Sequence, residues 1–202
     1  DEKWINNHYE PNKRKIFVYV GNPGKYFEKD RLDYLIEIFH RLNDEKYDFL
    51  FYIIGITKEE YIKYKNDHIK FINRLDHQIK FFGKKKNCEA INYIKKADFS
   101  IFFRINNRVN NAGFPTKVAE SLGCGTPVIT TPTSNISDYI KNGLNGFISK
   151  KCSKESIYEE VKKALFLSES DLIRMHRYSF EENLLDFRNF RKKTEIFLKN
   201  LM

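Results

Sequence analysis

Five short strand-like runs constrain this chain more than any other feature. They are Ile16 to Val20, Phe49 to Ile54, Gln78 to Phe82, Phe99 to Phe103 and Pro127 to Thr131, closed by Gly21, Gly55, Gly83, Arg104 and Pro132. The first of them, Ile16 to Val20, is apolar throughout and without strict alternation, which suits a strand covered on both faces, as in a parallel sheet. Helical periods lie between them, the clearest being Leu32, Leu35, Ile36, Phe39 and Leu42, with further helical stretches over Lys58 to Leu75 and through Ala97. Alternating strands and helices of this length predict right-handed βαβ crossovers. The predicted fold is therefore α/β, a Rossmann-like open parallel sheet with helices on both faces. A sixth short strand, Phe147 to Ser149, follows the two-glycine turn NGLNGF, and a helix is expected over Lys154 to Ser168. Beyond it, Phe180, Leu184, Phe187, Phe190, Thr194, Phe197 and Leu201 step by three or four and predict one amphipathic face.

In an open parallel sheet ligands bind outside the carboxyl ends of the strands. All five closing residues fall on that edge, followed by loops rich in Gly, Asn, Lys or Thr. The first such loop, GNPGKYFEKD, is neither a Walker A loop nor a dinucleotide fingerprint. Tyr19 stands where the former needs glycine, Tyr26 where it needs Ser or Thr, and Pro23 where the latter needs its second glycine. That argues against an NTPase and against a nicotinamide enzyme. The richest stretch is NAGFPTKVAESLGCGTPVI, Asn111 to Ile129. Gly113 suits a positive φ or close approach of a ligand to the backbone. Pro115 suits the first helical position, and the N–H groups of Thr116 and Lys117 then face an incoming anion at the positive helix end. Lys117 adds a full charge. Glu120, three residues on and on the same face, offers an acceptor pair for a ribose diol, although the two side chains also fit an ordinary surface ion pair.

With 202 residues, 41% of them apolar, the chain is long enough for a single domain with a real core, and Asp1 to Lys15 reads as a linker or entering arm. The net charge of +9 is spread along the sequence rather than gathered in one block, so it suits a surface that attracts phosphates, not sequence-specific nucleic-acid binding. Three cysteines, an odd number without metal-like spacing, favour a reducing, cytoplasmic compartment. The five histidines are scattered, which argues against zinc, and no apolar run approaches the roughly 20 residues of a membrane span. Arg188, Arg191, Lys192, Lys193 and Lys199 flank the last apolar stripe and leave open peripheral contact with the inner face of a membrane.

The run GFPTKVAESLGCGTPVI, with YVGNPGK upstream and SDYIKNGLNGF downstream, resembles the nucleotide-binding C-terminal domain of family-four glycosyltransferases of GT-B architecture. The subgroup it looks most like builds bacterial surface polysaccharides. The likeness covers Ile16 to Ile148. It implies a retaining transferase that uses a nucleotide diphosphate sugar without a metal or other cofactor, and whose acceptor site lies in an N-terminal domain. It further implies that Glu120 holds the ribose hydroxyls and that Gly113, Phe114, Pro115 and Thr116 cradle the sugar and distal phosphate. Gly21 and Asn22 correspond to the first glycine loop, with Lys25 or Lys29 as its basic residue, the insertion of Tyr26, Phe27 and Glu28 shifting that match. Arg104 corresponds to a further diphosphate contact, and Gly83 and Lys84 lie near the base. The common motif carries another glutamate where this chain has Ala112, so that sugar contact is either missing or supplied by Asn110, Asn111 or Lys117. The implied organisation is a donor domain over 16–178 and a helix over 179–202 reaching toward the N-terminal domain. A noncatalytic nucleotide- or partner-binding module is the alternative, and a basic nucleic-acid binder the less favoured one.

Overall fold

The computed structural model describes residues 9–201, apart from Tyr26, Glu28, Asp76, Asn183 and Leu184. The element order is β1 (Lys15–Val20), α1 (Leu32–Asp44), β2 (Phe49–Ile54), α2 (Lys58–Tyr64), α3 (Ile69–Arg74), β3 (Ile79–Phe81), α4 (Asn87–Lys96), β4 (Phe99–Ile101), α5 (Arg108–Asn111), α6 (Thr116–Gly123), β5 (Val128–Thr130), α7 (Ile136–Tyr139), β6 (Gly146–Ile148), α8 (Lys154–Leu165), α9 (Glu169–Glu181) and α10 (Arg191–Lys199). The strands form one parallel sheet in the order β3-β2-β1-β4-β5-β6. The chain winds outward through β2 and β3, then returns to lay β4 beside β1, pairing Phe17 with Phe99 and Val18 with Ser100. That reversal opens a crevice between the carboxyl ends of β1 and β4, the place where such folds bind ligands.

Side-chain alternation along β1 explains the two layers. Phe17 and Tyr19 enter the larger core with Leu32, Leu35, Ile36 and Phe39 of α1, whereas Val18 enters a smaller one with Ala90, Ile91 and Ile94 of α4. Each such large apolar side chain contributes about 1.5–3 kcal/mol on full burial. The strand ends are stitched by glycine: Gly21 N–H donates to Ile54 O at 2.9 Å, and Gly55 N–H to Gly83 O at 2.8 Å.

Three expected elements differ. The helical stretch Lys58 to Leu75 is broken at Lys65, whose φ of −136° is not helical, and a 3-10 turn over Asn66–His68 separates α2 from α3. The turn buries His68 so that its Nδ1 meets the Tyr61 hydroxyl at 2.8 Å, a tertiary contact that overrides local propensity. Pro115 is the cap ahead of α6, with an extended ψ of 115°, and Thr116 is the first helical residue. The C-terminal stripe is not one helix. After α9, Asp186 accepts from Arg188 N–H at 2.9 Å and starts a 3-10 turn over Phe187–Phe190 before α10; Leu184 lies outside the described residues. The entering arm is described from Tyr9 onward, and it packs against the sheet through Asp98, which accepts from the Tyr9 hydroxyl and, at 3.1 Å, from the Asn12 side chain.

Candidate functional site

Three buried polar side chains and the partly buried Lys117 meet at the crevice. Asp30, with no exposed surface, ends the loop after β1, and its Oδ2 accepts from the Tyr19 hydroxyl at 2.9 Å. Its Oδ1 takes the Arg104 Nε–H at 2.7 Å, and its Oδ2 meets Lys117 Nζ at 3.0 Å. Each partner arrives from a different element: Tyr19 from β1, Arg104 from the residues after β4, Lys117 from the first turn of α6. Further bonds fix the frame. Arg31 N–H donates to Phe103 O at 2.8 Å, docking the first loop on the end of β4. Thr131 Oγ1 accepts from Arg104 N–H at 2.9 Å and donates to Arg104 O at 2.7 Å.

The charges are unequal: two cations share one carboxylate. Burial pushes the Asp30 carboxyl up, but the charges of Lys117 and Arg104 outweigh it and hold it below its ordinary range. Burial also lowers Lys117; Asp30 opposes that shift, while Arg104 and Lys29 add to it. The Tyr19 hydroxyl is pushed far up by burial and by Asp30, so it stays a donor. The cluster thus keeps an excess of positive charge beside the start of α6, where helix geometry leaves the N–H groups of Thr116 and Lys117 without intrahelical acceptors.

A cavity of about 390 Å³ opens on this cluster, lined by Lys29, Arg104, Val109, Asn110, Gly113, Phe114, Pro115, Thr116 and Lys117. Gly21 belongs to the same place, since a Cβ there would lie 2.4 Å from Lys117 Nζ. Eight of the residues singled out from sequence therefore line one hollow: Lys29, Arg104, Asn110, Gly113, Phe114, Pro115, Thr116 and Lys117. The others sit around it. Asn22 accepts from Gly24 N–H within the first loop, and Lys25 is exposed there and does not line the cavity. Gly83 and exposed Lys84 follow β3, at the edge of the sheet. Glu120 is half-buried in α6 outside the cavity lining, and Lys117 pairs with Asp30 rather than with Glu120. Gly113 does not use a positive φ, and the space its missing side chain leaves is open. Of the insertion, Phe27 is buried against Tyr61, while Tyr26 and Glu28 lie outside the described residues.

Ala112 is exposed, and the groups near it divide. Asn111 is committed to holding loops together, its Oδ1 accepting from Ser134 N–H at 2.8 Å and its Nδ2 donating to Asn106 at 2.7 Å. Asn110 and Lys117 line the cavity. Asp30 itself escaped sequence reasoning because a lone acid in a loop belongs to no motif. The available signal was an acid set between Lys29 and Arg31 at the mouth of a helix.

Known proteins share this scaffold. An uncharacterized glycosyltransferase of Methanocaldococcus jannaschii is 27% identical over 177 residues, 79% of this chain and 46% of that protein. Sucrose-phosphate synthase from Thermosynechococcus elongatus superposes with a TM-score of 0.69 at 13% identity, over 95% of this chain and 46% of that one. Anabaena HepE, solved in complex with UDP and glucose, superposes with a TM-score of 0.66 at 13% identity, over 93% of this chain and 48% of that one. The chain thus spans about half the length of these relatives. The model of the family described as "Glycosyl transferases group 1" matches residues 1–179, most of the sequence, and the chain belongs to that family.

Proposed function

We propose that this chain is the donor-binding domain of a retaining glycosyltransferase that takes a nucleotide diphosphate sugar, in the assembly of a bacterial polysaccharide or glycoconjugate in the cytoplasm. One observation carries it: Lys117 and Arg104, from separate elements, converge at the switch point of the sheet beside a helix start and a hollow. Membership of the family supports transfer of a sugar, and the UDP and glucose of the Anabaena protein support a nucleotide sugar as donor.

In this proposal the diphosphate lies against the first turn of α6 with Lys117, Arg104 and Lys29 around it, and Glu120 takes the ribose diol. Cleavage of the bond from the anomeric carbon leaves its electron pair on the diphosphate oxygen. Donors already fixed in place stabilise that charge without reorganising. In this proposal the acceptor site lies in an N-terminal domain, as the resemblance implies, so the donor-binding domain alone binds donor without turning it over. A noncatalytic nucleotide module is the second reading, favoured by Ala112 at the position of the missing carboxylate; a full-length protein that binds nucleotide sugar and never transfers would establish it.

Calorimetry with UDP and GDP in turn tests the proposal. Binding of one of them at millimolar concentration or below is expected, weakened about tenfold or more by Lys117→Met, which removes a charge-assisted contact. Glu120→Ala should weaken the nucleotide but not inorganic pyrophosphate. No heat with either nucleotide, or Glu120→Ala matching wild type, would sink the assignment.

A further inference from the structure

We infer that Asp30 is a positioning residue: its carboxylate, wedged between Arg104 and Lys117, sets both cations as a pair facing the diphosphate of the donor. The inference rests on the donor-binding reading above and adds a residue which that reading does not use. Asp30 has no exposed surface, so it meets no ligand itself. It acts through its partners. One carboxylate oxygen takes Arg104 at 2.7 Å, and the other takes Lys117 at 3.0 Å together with the Tyr19 hydroxyl at 2.9 Å. A carboxylate using both oxygens on two cations from different elements fixes the spacing of those cations, and the Tyr19 hydroxyl fixes the carboxylate.

Asp30 also maintains charge. The charged groups facing Lys117 are Asp30, Arg104 and Lys29, and of these only Asp30 favours the protonated amine; the Tyr19 and Phe102 rings, 5.5 and 5.9 Å away, add a weaker cation–π attraction. Burial and the two other cations push the lysine toward its neutral form, so the carboxylate is what keeps a buried amine charged. The arrangement costs attraction as well, since Asp30 cancels one of the charges offered to a phosphate. The net result favours binding because a deprotonated lysine offers none.

Two measurements test this. In protein carrying 13C at the lysine Cε, the Lys117 signal of Asp30→Asn should titrate at a lower pH than in wild type, whether or not nucleotide binds. In calorimetry, Asp30→Asn should bind UDP or GDP, whichever wild type prefers, about tenfold more weakly, as expected for one lost charge-assisted hydrogen bond. The loss should grow as pH rises through the lowered Lys117 value and shrink at acid pH. A purely structural role would lower affinity equally at every pH. Should Asp30→Asn not fold, Asp30→Glu serves: the charge is kept but set out of register, so Lys117 stays protonated while affinity drops. An unmoved Lys117 titration in Asp30→Asn, or wild-type affinity in Asp30→Glu, overturns the inference. Wild type that binds neither nucleotide defeats the donor-binding proposal instead, leaving the titration to decide the role of Asp30.

Discussion

Glycine does opposite jobs at two positions of this chain. Gly55 has a φ of +115°, and a Cβ there would fall 2.2 Å from the carbonyl oxygen of Gly21. Backbone cannot step aside as a flexible side chain can, so the first loop and the end of β2 approach as closely as they do only because no side chain intervenes. Gly113 has nothing within 4 Å of its own added Cβ. Gly55→Ala should therefore cost about 1–3 kcal/mol in backbone strain alone, lowering the melting temperature by about 5 °C. Gly113→Ala should stay within about 0.5 kcal/mol. Thermal unfolding followed by circular dichroism separates the two, and equal destabilisation would refute the distinction. Nothing in the letters tells these glycines apart, because the difference lies in which strand end comes to rest beside each.

At the amino-terminal edge of the sheet, α9 is tied to the entering arm by a titratable group. The rings of Tyr9 and His176 stack at 3.3 Å between centroids, and His176 Nε2–H donates to Asp98 O at 3.0 Å. Burial pushes the His176 imidazole from 6.5 down to about 3, so the folded protein holds it neutral. Between those values the unfolded chain binds a proton that the folded chain refuses. Stability should therefore fall as pH falls through that window, by about 1.4 kcal/mol per unit. Asp98, raised above its ordinary range chiefly by burial, works in the opposite sense as the medium becomes acid. The test is thus a difference: urea midpoints for wild type and His176→Gln should converge from pH 7 toward pH 4, and parallel profiles would refute the role of His176. The elements themselves were largely legible. β2, and β1 after its first residue, are continuous apolar runs, and α1 carries a full helical period. The break between α2 and α3 was hidden because its cause, His68 beneath Tyr61, is a contact across the turn rather than a local preference. The clustering of Lys117 with Arg104 was legible only as far as the shared edge of the sheet; their common partner required the fold.

On the scale of the whole molecule, one sheet order explains where chemistry and bare surface fall. Returning β4 beside β1 gathers Tyr19, Asp30, Arg104 and Lys117 into a single crevice, while the described residues after α9 add no strand to the sheet. Among the described residues no helix is long and apolar enough to cross a membrane. The C-terminal segment nevertheless presents Phe187 at 79% exposure, Phe197 at 61% and Leu201 at 67%, with Arg191, Lys192 and Lys193 close by in sequence. None of these three apolar side chains belongs to the core or packs against it. Core residues and these should therefore respond oppositely to the same kind of change. Replacing Phe187, Phe197 and Leu201 together by serine removes little buried surface, so the melting temperature should move by no more than about 2 °C. Self-association at high concentration should fall, because contiguous exposed apolar surface is what drives it. Sedimentation velocity alongside thermal unfolding reads both. A large drop in melting temperature would mean that the segment packs on the domain, and unchanged association would mean that the stripe is too dispersed to act as a patch.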